Sequence, residues 1–158
     1  MNGKPLKWSK MEEIFGDIWE QNKLKRWVII TTNGTIRNDG ACVMGRGVAK
    51  QAATRFPNLP FQLGERIKRD GNVVQVFDDL KIIALPVKNH WKDVADLALI
   101  ERSLKQLVAW ADIPPRKHGK FYMVRPGCSN GKRDWLTEVK PLCEKYLDDR
   151  FIIVERNV

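Results

Sequence analysis

Apolar positions along this chain fall into short runs separated by turn chemistry, and runs of strand character alternate with runs of helical spacing. RWVIITTN (26–33) is β-branched and almost continuously apolar, the pattern of a central strand buried on both faces. A glycine-rich loop follows, GTIRNDGACVMGRG (34–47), with turn chemistry at Asn38, Asp39 and Gly40. VAKQAATRF (48–56) reads as a helix stopped by Pro57, and PFQLGERIKRDG (60–71) as a second short helix ending at a glycine. NVVQVF (72–77) and KIIALPV (81–87) predict two strands joined in a hairpin by a turn at Asp78 and Asp79. Val94, Leu97, Ile100, Leu104, Leu107 and Val108 recur at helical spacing over 93–111, with Asp93 as the expected N-cap. IPPRKHG (113–119) is the loop after that helix, and KFYMVR (120–125) is a strand running into PGCSNG (126–131). Trp135, Val139, Leu142 and Tyr146 mark one face of a helix, and RFIIVE (150–155) closes the series as a strand.

Strands alternating with helices predict an α/β sandwich whose sheet is mainly parallel. Sheets of this kind bind ligands in the crevice beyond the carboxyl ends of their strands. Three segments follow such ends: the loop 34–47, KNHW (88–91) and PGCSNGKRDW (126–135). All three are therefore expected at one crevice.

Composition changes this picture in one respect. The 158 residues, 43% hydrophobic and 30% charged, suit one ordinary globular domain. No apolar run approaches the ~20 residues of a membrane span, and MNGKPLKWSK (1–10) lacks the apolar core of a signal peptide. Three cysteines with no CxxC suggest neither a disulfide framework nor a zinc site, so a reducing cytoplasm is the expected location and no metal or cofactor is expected. The net charge of +9 is what points beyond solubility, towards a polyanionic partner such as a nucleotide, a pyrophosphate or a nucleic acid. The cations are spread along the chain, which predicts a broad positive face rather than a basic arm.

The residues at the predicted crevice have matching chemistry. Gly45 and Gly47 flank Arg46 just before a helix, where free N–H groups and the positive end of the helix dipole suit an anion. The small residues of GCSNG offer a second string of backbone amides for the same purpose. Two such loops facing each other would hold a diphosphate. No GKS or GKT follows Gly47, and no GxGxxG is present, so this is neither a Walker A loop nor a Rossmann fingerprint. Lys88 at a strand end reads either as an anchor for phosphate or ribose, or as a chemical group if burial or cationic neighbours lower its pKa. His90 reads as a general acid or base or as a structural hydrogen bonder, and Trp91 and Trp135 as packing residues that hold the two loops, with base stacking as the other reading.

Taken together, GDIWE (16–20), Asn33, VMGRGVAKQAATRFP (43–57), LPVKNHW (85–91) and PGCSNGKRDWLTEVKPL (126–142) resemble a macrodomain over nearly the whole chain. Within that family they are most similar to DNA ADP-ribosyl glycohydrolase antitoxins of the DarG type and to terminal ADP-ribose glycohydrolases. The resemblance implies a three-layer α/β/α sandwich with a mixed, mainly parallel sheet and an ADP-ribose cleft. By motif, Asp17 would take the adenine amino group with Ile18 beside the ring. Gly45, Arg46, Gly47 and Val48 would line one side of the diphosphate and distal ribose, and Cys128, Ser129, Asn130 and Gly131 the other. Lys88 would be the catalytic group, at the anomeric carbon; Asn33 and His90 complete the candidate catalytic residues, either of them positioning water if the reaction is that of a phosphatase. The chain also departs from the pattern. Ile30 stands where an asparagine is usual, TIRNDGA (35–41) is inserted before the glycines, and Gly131 takes the place of an aspartate used by some terminal glycohydrolases.

The expected protein is thus a monomer that removes ADP-ribose from an acceptor, DNA favoured over protein. Two alternatives stay open: a phosphatase acting on ADP-ribose-1″-phosphate, and a non-catalytic binder of ADP-ribose or a related nucleotide.

Overall fold

The structure, a computed structural model, describes residues 10–114, 116 and 119–156. Pro115, Lys117 and His118 of the predicted loop, and most of the amino-terminal segment read for a signal peptide, lie outside the described residues. The strands are β1 (Glu12–Gly16), β2 (Trp27–Asn33), β3 (Gln75–Phe77), β4 (Ile82–Lys88), β5 (Phe121–Met123) and β6 (Phe151–Arg156). The helices are α1 (Ile18–Lys23), α2 (Gly47–Arg55), α3 (Leu59–Asp70), α4 (Leu97–Ala111) and α5 (Lys140–Tyr146). A π-helical turn, Trp135–Val139, leads into α5.

The strands form one sheet in the order β1-β6-β5-β2-β4-β3. Every neighbouring pair is parallel except β3 with β4, the predicted hairpin. Alternation along each strand divides the core into two layers. Ile29, Ile83, Leu85, Phe121, Met123, Phe151 and Ile153 point to the face covered by α4, α5 and the π turn. Val28, Ile30, Ile82, Ala84, Ile152 and Val154 point to the face covered by α1, α2 and α3. The mixed, mainly parallel sandwich is the expected one. Ile30 is fully buried in the second layer, so its departure from the antitoxin pattern fills core rather than cleft.

One strand was not expected, and three expectations need correction. β1 had no strand signature, because EEIFG is exposed along most of its length and takes its place in the sheet by backbone pairing to β6. The strands expected over 72–77 and 120–125 shorten to three residues each. Asp96, not Asp93, caps α4, accepting from Ala98 N at 2.9 Å and Leu99 N at 3.3 Å, and Val94 lies outside the helix, 48% exposed. The helix expected from Trp135 opens instead as the π turn, capped by Asp134, which accepts from Thr137 N at 2.8 Å.

The inserted loop is a small docked hairpin. Ile36 and Cys42 bridge antiparallel, Arg37 N donates to Ala41 O at 2.7 Å, and Cys42 N donates to Pro60 O at 2.8 Å. Gly64, inside α3, makes this docking possible: a Cβ there would lie 2.0 Å from Gly40 O and 3.0 Å from Cys42 N. Both obstacles are backbone and cannot swing aside. Gly64→Ala is therefore expected to destabilise despite alanine's better helix propensity. The loss should reach the upper part of the ~1–3 kcal/mol range of overpacking. In thermal unfolding that corresponds to a fall in Tm of roughly 5–10 °C for a chain of this size.

Candidate functional site

The loops at the carboxyl ends of β1, β2, β4, β5 and β6 surround a cleft of about 850 Å³. That falls in the range of small-molecule sites and accommodates a nucleotide-sized ligand. Of the residues singled out from the sequence, Asp17, Ile18, Asn33, Gly45, Arg46, Gly47, Val48, Lys88, Cys128, Ser129, Asn130 and Gly131 all line it. His90 does not.

The two glycine loops meet across the cleft. Arg46 has extended backbone at the N-cap of α2, and Gly47 begins the helix with a φ of 58°, a left-handed conformation that favours glycine. A Cβ on Gly47 would approach Asn130 Nδ2 to 2.7 Å. The opposite loop is tightly wound. Gly127 has a φ of 72°, its carbonyl accepts from Arg133 N at 2.9 Å, and a Cβ on Gly131 would lie 2.5 Å from that same carbonyl oxygen. Gly131 O accepts from Ala95 N at 2.9 Å, which ties this loop to the entry of α4. The Cys128 thiol is pushed up to about 11, chiefly by burial, so it remains protonated at neutral pH and is not a nucleophile there.

Lys88 ends β4 opposite Asn33, where the β2 register shifts between Thr32 and Asn33. Its Nζ donates to Trp91 O and to Asn130 O, each at 3.2 Å, so one ammonium joins its own loop to the second glycine loop. The Lys88 pKa is lowered, mainly by burial. Asp93 opposes the shift, and the charges of Arg46 and Lys132 reinforce it. Asp93 therefore lines the cleft as an electrostatic neighbour of the lysine and not as a helix cap. Asn33 uses both ends of its amide within the inserted hairpin: Nδ2 donates to Val43 O at 3.0 Å and Oδ1 accepts from Thr35 N at 2.9 Å. His90 is exposed, stacks on Trp91 with ring centroids 6.0 Å apart, and accepts from Lys92 N at 3.2 Å through Nδ1. Trp91 is not the packing residue expected of it; it is 39% exposed and lines the cleft.

At the other end, Asp17 caps α1, its Oδ1 accepting from Trp19 N at 2.9 Å, while Oδ2 has no partner among the described residues. Beside it lies an ion-pair network that sequence reasoning missed. Arg125 reaches Glu155 through both Nη atoms at 3.2 and 2.9 Å and approaches Glu13 to 3.6 Å. Glu13 also accepts from Trp135 Nε1 at 2.9 Å and pairs with Lys140 at 2.6 Å. Burial works to raise the Glu13 pKa, but these hydrogen bonds and charges outweigh it and the net shift is downward. The network locks β1, β5, β6 and the π turn together, with Trp135 buried as expected. No local pattern signals it, since its bonded partners lie 30 or more residues apart.

The sheet order, the flanking helices and the carboxyl-edge cleft between two glycine loops define the macrodomain fold. Solved structures agree. The macrodomain of Thermus aquaticus DarG matches with a TM-score of 0.69 and 24% identity over 93% of this chain and 98% of that one. The macrodomain of Mycobacterium tuberculosis DarG matches with a TM-score of 0.65 and 23% identity over 93% and 99%. Thermosipho africanus DarTG, solved in complex with ADP-ribose, matches with a TM-score of 0.60 and 19% identity over 82% of this chain and 38% of that one. No protein-family model matches the sequence, and no curated protein does. No helix among the described residues is long and apolar enough to cross a membrane.

Proposed function

We propose that the cleft binds ADP-ribose and that the protein is a hydrolase releasing ADP-ribose from a modified acceptor, with DNA favoured over protein. The observation that carries this reading is Lys88 Nζ held between Trp91 O and Asn130 O, where the two glycine loops converge. A diphosphate between those loops would set the distal ribose beside the amine. The structural neighbour solved with ADP-ribose supports the same ligand. In this reading Gly45 to Val48 and Cys128 to Gly131 cradle the diphosphate and ribose. Lys88 acts at the anomeric carbon, Asn33 positions the inserted hairpin, and His90 stays outside the reaction. Arg46 and Lys132 at the cleft, without an ion-pair partner among the described residues, suit a polyanionic acceptor, whereas Arg133 is engaged by Glu138 at 3.0 Å and Arg37 by Asp39. A non-catalytic binder is the rival, favoured by the same two carbonyl contacts if they only anchor the lysine.

Calorimetric titration tests the first step. ADP-ribose is expected to bind with micromolar affinity, about −8 kcal/mol. Asp17 Oδ2 would accept from the adenine amine, which hypoxanthine lacks. Asp17→Ala should therefore weaken ADP-ribose and narrow its advantage over IDP-ribose. Equal wild-type affinity for both would remove Asp17 from base selection, and no heat with ADP-ribose would sink the reading. A panel of ADP-ribosylated DNA, ADP-ribosylated protein and ADP-ribose-1″-phosphate then separates hydrolase, phosphatase and binder.

A further inference from the structure

Between β2 and the first glycine loop this chain carries the hairpin that the resemblance leaves unexplained. Its contacts lead to the lysine. Asn33 grips both of its arms, at Thr35 N and Val43 O, and Val43 N donates to Thr35 O at 2.9 Å. Contact with α3 through Cys42 N and Gly64 fixes it from behind. So held, Thr35 presents Oγ1 to Trp91 N at 3.0 Å. The carbonyl of that same Trp91 is one of the two acceptors of Lys88 Nζ, at 3.2 Å. Gly34 N and Asn72 Nδ2 also hold the Lys88 carbonyl, at 3.1 and 2.9 Å. The lysine is thus gripped at its backbone and at the carbonyl that aims its amine. Thr35 itself does not line the cleft.

We propose that Thr35 is a positioning residue for Lys88, orienting its amine through Trp91, and that the inserted hairpin serves to deliver this contact. The catalytic half of the claim rests on the hydrolase reading above; the positioning half does not. The physical argument is short. A hydroxyl that accepts the Trp91 N–H fixes the 88–91 turn, and the turn fixes where the Trp91 carbonyl points. Valine has threonine's shape but no acceptor, so Thr35→Val gives that exposed N–H over to water and frees the turn. An ammonium that loses one of two carbonyl acceptors is less stabilised, so its pKa falls further. The charged groups around it are Asp93 from its own loop, Arg46 from the first glycine loop and Lys132 from the second, and none is altered by the substitution.

The test compares wild type, Thr35→Val and Thr35→Ser in two assays. The first follows turnover of ADP-ribosylated DNA against pH. Thr35→Val should lower kcat roughly tenfold to a hundredfold, as sub-ångström misplacement of a reacting group does, with ADP-ribose affinity nearly unchanged. The pH at which the rate levels off should move down, a change that general loosening would not produce, and Thr35→Ser should restore both. The second assay needs no turnover: acylation of Lys88 by an amine-directed reagent against pH, read by peptide mass spectrometry. Its midpoint should fall in Thr35→Val and return in Thr35→Ser. If wild type shows no turnover, the hydrolase reading fails, and the acylation midpoints still decide the positioning role. If Thr35→Val acylates with the wild-type midpoint, or turns over at the wild-type rate, the inference is overturned.

Discussion

Lys88→Arg is expected to lower turnover of ADP-ribosylated DNA by about a hundredfold or more, roughly 3 kcal/mol of transition-state stabilisation, while ADP-ribose binding persists. Arginine keeps the positive charge and can still contact a phosphate or the carbonyls of Trp91 and Asn130. It cannot give up its proton near neutral pH, so it supplies no free amine. The lowered pKa of Lys88 fixes the accompanying pH dependence. Below that pKa the amine is protonated and unreactive as a base or nucleophile. The wild-type rate should therefore climb as pH rises towards it and level off above it. Lys88→Ala should match Lys88→Arg in lost turnover if the amine is the chemical group. Should Lys88→Arg instead work at near wild-type rate, Lys88 is an electrostatic anchor, and a water positioned by the loops must do the chemistry.

Gly47→Glu should abolish ADP-ribose binding altogether. Three effects act together there. The φ of 58° strains any side chain, a Cβ lies 2.7 Å from Asn130 Nδ2, and the new carboxylate occupies the anion site at the start of α2. Gly47→Ala separates them, because it shares the strain and the Asn130 contact but brings no charge. Asn130 Nδ2 ends an exposed side chain that can swing away, so the alanine variant should bind more weakly than wild type yet measurably. Titration of the three proteins decides the matter. Undiminished affinity in Gly47→Glu would place the diphosphate elsewhere.

Both positions are revealed by the sequence alone. Gly47 announces itself, because paired glycines ahead of a helical pattern have few purposes. Lys88 was also legible, at the mouth of an apolar strand where a charged residue is out of place. What encloses it was not. Trp91 resembled packing and rims the cleft. Asp93 resembled a cap and lies beside the lysine's charge. Asn33 lines the cleft as expected, and the sequence did not show that both ends of its amide hold the hairpin.

By itself the sequence determined the buried strands β2, β4 and β6, the helix α4, and the loops that meet at one edge of the sheet. Each of these is written in local spacing: apolar continuity, a 3.6-residue period, glycine where the backbone must turn or be approached. Tertiary structure decided what depends on partners distant in the chain. β1 exists because β6 offers it a parallel edge. The Arg125–Glu155–Glu13 network exists because β6 lies between β1 and β5 in the sheet, which brings residues of β1, of β6 and of the segment after β5 together. The aim of the Lys88 amine depends on a hydroxyl 53 residues earlier acting through Trp91, which lies 56 residues from it in the chain. Local pattern records which face of an element is buried. It does not record which polar atom across the fold will satisfy a given N–H, and at this cleft those pairings set the geometry.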